Sequence, residues 1–107
     1  MKPVVLRPPA LEELREAIAW YEARDPKIAT AFFVEIGAIL SRIGEGPVQF
    51  PAWTFNPAFR KAVLPETFPY IVYFREKADR IEIMALSHGA RAPGYWMRRH
   101  FVKFERV

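Results

Sequence analysis

A chain of 107 residues that is 51% hydrophobic and 15% aromatic carries enough apolar material for a real core, which excludes a disordered polymer and leads us to expect one domain over residues 1–107 that buries roughly 65% of its unfolded surface. It has no cysteine, which excludes disulfide scaffolds and thiolate metal centres. The net charge of +4 is split along the chain: residues 10–45 hold seven acids against four bases and residues 46–107 hold five acids against ten bases. The second part is therefore either a docking surface for a polyanion or acidic partner, or a solvated basic rim.

Pro3-Val4-Val5-Leu6-Arg7 reads as a short first strand that Pro8-Pro9 ends, because proline has no amide to donate. Leu11, Leu14, Ile18 and Tyr21 then recur at helical spacing, with Glu12, Glu13, Arg15, Glu16 and Glu22 on the other side. The spacing predicts an amphipathic helix with Pro9 in its first turn and its early glutamates facing the positive end of the helix dipole. Asp25-Pro26 predicts the start of a second helix, since aspartate accepts from free helix amides and proline pre-sets the first helical dihedral. Its apolar stripe is expected through Ala29, Phe32, Phe33, Ile36, Ile39, Leu40 and Ile43, and Gly44 and Gly46-Pro47 stop it.

Val48 to Pro57 has no clear period and reads as a loop pinned by buried aromatics. Phe59 to Leu64 alternates as a strand, and Pro65-Glu66-Thr67 turns the chain into Phe68-Pro69-Tyr70-Ile71-Val72-Tyr73-Phe74, whose aromatic and β-branched residues suit a pleated surface. Pro69 belongs at that strand's start or on an unpaired edge. Glu76 to Asp79 has the length of a hairpin loop, so Arg80 to His88 is expected to return antiparallel. Strict alternation would point Ile81, Ile83 and Ala85 one way and Glu82, Met84, Leu86 and His88 the other. The expected class is α+β, ordered β-α-α-β-β-β, with a helical hairpin packed on an antiparallel sheet.

No metal or phosphate motif is present: His88 and His100 lack a second ligand at helical spacing, and Gly89 with Gly94 makes no phosphate loop. Neither a metal nor another cofactor is expected. Ser41 lies in a helix and Ser87 points away from His88, so triad hydrolysis is not expected. What remains is a set of basic and aromatic groups: Arg60 and Lys61 on one strand, His88 at the end of another, then Arg91, Tyr95 and Arg98. Such a set suits phosphate neutralisation and base stacking. Three of these, and Trp96 beside them, also have a plain reading. His88 fits a backbone carbonyl, Arg91 fits an ion pair with a carboxylate such as Glu82, and Tyr95 and Trp96 fit core aromatics that close the sheet.

Taken together, Phe68 to Tyr73, the run Ile83 to His88, and the tail His-x-x-Arg-x-Pro-x-Tyr-Trp at His88 to Trp96 resemble toxins of the RelE/ParE superfamily. Trp20-Tyr21-Glu22, the Phe32-Phe33 helix and the Arg60-Lys61 pair resemble it as well. The resemblance implies the growth-inhibiting toxin of a bacterial type II toxin-antitoxin pair, of the kind that stabilises plasmids, in a heteromeric complex with a cognate acidic antitoxin. The Pro-x-Tyr-Trp tail and long helices look more like the ParE branch, described as poisoning DNA gyrase without being a nuclease. On that branch Arg91, Tyr95, Trp96, Arg98 and Arg99 would bind the target, with Lys103 and Arg106 adding to the basic end. The alternative is the RelE branch, which cleaves messenger RNA in the ribosome, and there Arg60, Lys61, His88, Arg91 and Tyr95 would be the catalytic candidates. A second alternative is a degenerate, non-toxic binding module. A soluble cytoplasmic protein with no membrane partner is expected: no apolar run nears the roughly 20 residues of a membrane span, and Met1-Lys2-Pro3 opens no signal-peptide core.

Overall fold

The computed structural model describes residues 1–65, 67–92 and 94–97. Arg98, Arg99, His100, Lys103 and Arg106 lie outside the described residues, as do Glu66 and Pro93. The elements run β1 (Val4–Leu6), α1 (Pro8–Arg24), α2 (Pro26–Glu45), a 3-10 turn (Pro47–Gln49), β2 (Arg60–Val63), β3 (Tyr70–Glu76) and β4 (Ile81–His88). This is the expected order, and the two helices pack on one face of a four-stranded sheet ordered β1-β4-β3-β2. β2, β3 and β4 are antiparallel neighbours, whereas β1 joins parallel to β4, with Val4 opposite Ile81 and Leu6 opposite Ile83. The helical hairpin acts as the crossover that a parallel pair requires.

The helix boundaries follow their local chemistry. α1 starts on Pro8-Pro9, one turn before its first apolar residue, so Glu12 and Glu13 fall beyond the first turn and do not complement the dipole as expected. Asp25 caps α2 by accepting from the Lys27 N–H at 2.9 Å. At the other end of α2, Gly44 packs so close to β1 that an added Cβ would stand 3.1 Å from Val4 Cγ2.

The core lies between the hairpin and the sheet. Leu14 and Ala17 of α1 and Phe32, Ile36, Ile39 and Ile43 of α2 meet Val72, Phe74, Ile81, Ile83 and Leu86. Phe33 is not part of it: at 60% exposure it shares the outer surface of α2 with Ile28 and Val34. The stripe is thus narrower than the sequence suggests, because the position after Phe32 is rotated by about 100° and only one of the two can face the sheet. A second cluster fills the opposite sheet face, where Trp53, Phe59, Tyr73, Met84, Ala85 and Trp96 come together. Trp53 and Phe50 do pin the 48–57 loop, whereas Phe55 is exposed.

One irregularity decides where the functional residues point. Tyr73 pairs with Ala85 but Phe74 pairs with Ile83, so Met84 is an extra residue in β4, a β-bulge. Strict alternation therefore fails after Ile83. Met84 and Ala85 both face the second cluster, and Leu86 returns to the helix side with Ile81 and Ile83. The expected grouping of Ala85 with Ile81 and Ile83, and of Leu86 and His88 with Glu82, is corrected. With Tyr70 as its register partner, His88 ends β4 on the face that carries the helices. Glu82 itself, at the start of β4, is buried beneath three arginines.

Candidate functional site: a groove between the first helix and the end of the last strand

Where β4 ends, α1 and the sheet diverge and leave a groove of about 500 Å³. Glu13, Glu16 and Trp20 of α1 form one wall, Tyr70 and Leu86 the floor, and His88 and Arg91 the rim. Glu13 ties the parts together. Its Oε1 accepts from the Leu86 N–H at 3.0 Å, its Oε2 accepts from the Tyr95 hydroxyl, and Arg91 Nη1 stands 3.8 Å from the same oxygen. Arg91 also stacks on Tyr95, with Cζ 3.6 Å from the ring centroid. The tail after β4 is thereby fastened to the first helix through one carboxylate. Arg91 pairs with Glu13 and not with Glu82, which lies at the far end of β4 on the opposite face.

His88 is exposed, its ring edge-on to Tyr70 with centroids 5.3 Å apart. Its Nδ1 accepts from the Ala90 N–H at 3.1 Å, where a carbonyl partner was expected. An acceptor at Nδ1 leaves the proton of the neutral ring on Nε2. Tyr70 is held above the ordinary tyrosine range, first by burial and then by the neighbouring Tyr21, so its phenol stays protonated near neutral pH and can donate but not act as a base. Trp20 stands half-exposed at the wall, with the Arg24 guanidinium 3.4 Å from its ring centroid.

Of the residues singled out in the sequence, His88, Arg91 and Tyr95 come together here. Arg60 and Lys61 do not join them. Arg60 lies opposite Phe74, four residues along β3 from the partner of His88, or about 13 Å away at the usual strand rise. Its guanidinium donates to the Phe50 carbonyl at 2.6 Å. Lys61 pairs with Tyr73 and so belongs to the other sheet face. Trp96 is buried, with its ring 4.9 Å from Phe59 and 5.2 Å from Trp53 and Tyr73, so it supports the sheet face from within. Glu13 and Glu16 carried no signal in the sequence, since they read as the polar side of α1, and Tyr70 stood in a stretch that carries the resemblance without being singled out as a site residue. Trp20 carried a signal, as an aromatic off the helix's apolar stripe.

Among the described residues no group of three His, Asp or Glu side chains could hold a metal ion. With two carboxylates and Arg91 lining it, the groove is poor at holding a phosphate and well suited to a peptide surface with mixed polar and apolar groups. No helix among the described residues is long and apolar enough to cross a membrane.

The family model for the ParE toxin of the type II toxin-antitoxin system, parDE, matches residues 4–93. The chain belongs to the ParE toxin family. The same fold is seen in a structure described as the chromosomal ParDE TA system from P. aeruginosa, which is 20% identical and superposes with a TM-score of 0.70 over 82% of this chain and 96% of that one. No curated protein matches the chain. In ParE terms, the groove rim at His88 to Arg91 falls within the matched region, whereas Tyr95 and Trp96 lie just past it.

Proposed function

We propose that this ParE-family chain arrests bacterial growth by binding DNA gyrase without catalysing a reaction of its own. The observation that carries this reading is the separation of Arg60 and Lys61 from His88, Arg91 and Tyr95. Metal-independent cleavage of RNA needs a base, an acid and cations around one phosphate. Here the strand cations sit about 13 Å away or on the other face, and the groove brings carboxylates where cations are needed. Aromatic walls with one arginine at the rim of a mixed groove are instead the composition of a protein-binding hot spot.

The antitoxin we expect is an acidic, partly disordered polypeptide that folds an amphipathic segment onto the toxin. The outer face of α2 suits it: from Ile28 to Ser41 every exposed position is uncharged, with Ile28, Phe33 and Val34 as anchors. An adjoining reading frame for such a partner, and growth arrest when the toxin is expressed without it, are the corresponding expectations.

A supercoiling assay run beside a ribosome-bound messenger cleavage assay tests the target. Loss of gyrase supercoiling with intact messenger is the expected result, weakened by deletion of residues 98–107, which carry Arg98 and Arg99. Codon-positioned cuts that vanish in Arg91→Ala or Tyr95→Phe, with supercoiling untouched, would overturn it.

A further inference from the structure

At the opposite end of β4 from the groove, and on the opposite sheet face, three arginines from different stretches of the chain converge on one carboxylate. Arg75 Nε of β3 donates to Glu82 Oε1 at 2.8 Å, and Arg80 donates to Oε2 from Nε at 3.1 Å and approaches it with Nη2 at 2.9 Å. Arg7, after β1, holds Nη1 3.7 Å from the same oxygen. The Glu82 side chain is 4% exposed, while those of Arg7, Arg75 and Arg80 are 30%, 21% and 40% exposed. One buried carboxylate can neutralise one guanidinium, and Asp79, which also meets Arg80, stands out in solvent. The cluster therefore keeps an excess of positive charge with its cations fixed in place.

We infer that this cluster is an anion-binding shelf for the phosphodiester backbone of a nucleic-acid duplex. Arginine presents five N–H donors in a planar fork; Glu82, with Asp79 accepting from Arg80 Nη1, occupies only part of each fork, and the remaining donors belong to partly exposed side chains that are already ordered. Lys61 extends the line on the same face. It pairs with Tyr73, two residues before Arg75, which puts it one diagonal step away, at roughly 7–8 Å. A row of fixed, partly exposed cations beside the second cluster fits a polymer backbone. The aromatics beside the row, Phe59 and Tyr73, are buried and offer no platform for unstacked bases, so the partner is a duplex whose bases are already stacked. The inference does not depend on gyrase being the target.

The test is fluorescence anisotropy of the full chain with a short labelled DNA duplex across a salt series. Parallel arms use an RNA duplex, a single strand, and inorganic phosphate as competitor. The log–log salt slope should fall by about 0.9 when Arg80→Ala removes one phosphate contact. Arg80→Lys keeps the charge but loses the fork, and should bind about fivefold more weakly. The sharpest variant is Glu82→Gln, checked for folding by circular dichroism. It removes a negative charge, so diffuse attraction would tighten binding, whereas loss of the anchor for three guanidiniums should weaken it severalfold. A wild-type chain that does not bind, an unchanged Arg80→Lys, a tighter Glu82→Gln, or single strands bound as well as duplexes would each overturn the inference. DNA and RNA duplexes bound alike would assign the shelf to the backbone, and preference for one would name its source.

Discussion

Removing the Glu13 carboxylate should uncouple the tail from the first helix, and its size can be worked out from its partners. The Leu86 N–H and the Tyr95 hydroxyl both donate to a charged, largely buried acceptor, and hydrogen bonds to charged groups contribute about 1.5–3 kcal/mol each. Arg91 at 3.8 Å is more than half exposed and adds about 0–1 kcal/mol. Glu13→Ala is therefore expected to destabilise the chain by about 3 kcal/mol, allowing for water that enters the groove and replaces part of what is lost. Tyr95→Phe alone should cost about 1–2 kcal/mol, and the double variant should fall short of the sum by a similar amount. Urea unfolding followed by tryptophan fluorescence measures all four corners of this cycle. Additivity within about 0.4 kcal/mol would refute the idea that Glu13 and Tyr95 act as one unit.

Other outcomes test separate parts of the molecule. Burial pushes the Glu82 carboxyl up, but the hydrogen bonds from Arg75 and Arg80 outweigh it and hold the group below its ordinary value of 4.5. A carboxyl depressed in the fold contributes stability above its unfolded value, and that stability drains away as pH falls through the folded one. Thermal melts should thus show wild-type stability declining below about pH 4.5, with that part of the decline absent in Glu82→Gln. Phe32→Ala opens a cavity at the centre of the core, where Phe32 is fully buried, and should cost about 3–5 kcal/mol in denaturant titration. Phe33→Glu, one position along, should change stability by no more than about 0.5 kcal/mol yet sharply weaken capture of the antitoxin in a pull-down. His88→Ala with Arg91→Ala should leave the melting curve nearly unchanged and reduce growth arrest in a plating assay.

The element order was legible because local chemistry dictates it: proline and aspartate mark the helix starts, glycine the end of α2, and aromatic and β-branched runs the last two strands. What escaped depends on contacts distant in sequence. Nothing in Pro3 to Arg7 says that β1 will pair parallel with β4, since its partner lies at the far end of the fold. The bulge at Met84 is invisible because Met84 and Ala85 are both apolar, and alternation alone assigns them to opposite faces. That one residue moved His88 and Leu86 to the helix side, and with them the whole candidate site. Glu13 read as one more solvated glutamate of α1, although it holds a β4 amide and the tail. The plain reading of Arg91 was an ion pair with a carboxylate such as Glu82, and the carboxylate it meets, Glu13, comes from a helix and not from β4.

The pairing of β1 with β4 also bears on when during synthesis the toxin can become a toxin. Val4 cannot meet Ile81, nor Arg7 the Ile83 carbonyl, until nearly all of the described chain has been made. A contact so distant in sequence forms only after a large loop has closed. Nascent chains should therefore remain open to protease until β4 has emerged, and then become protected in one step. Protease protection of ribosome-bound chains of increasing length measures this, and early, gradual protection would count against it. A cell that makes both partners has the time taken to translate from β1 as far as β4 in which to supply the antitoxin before the finished sheet exists.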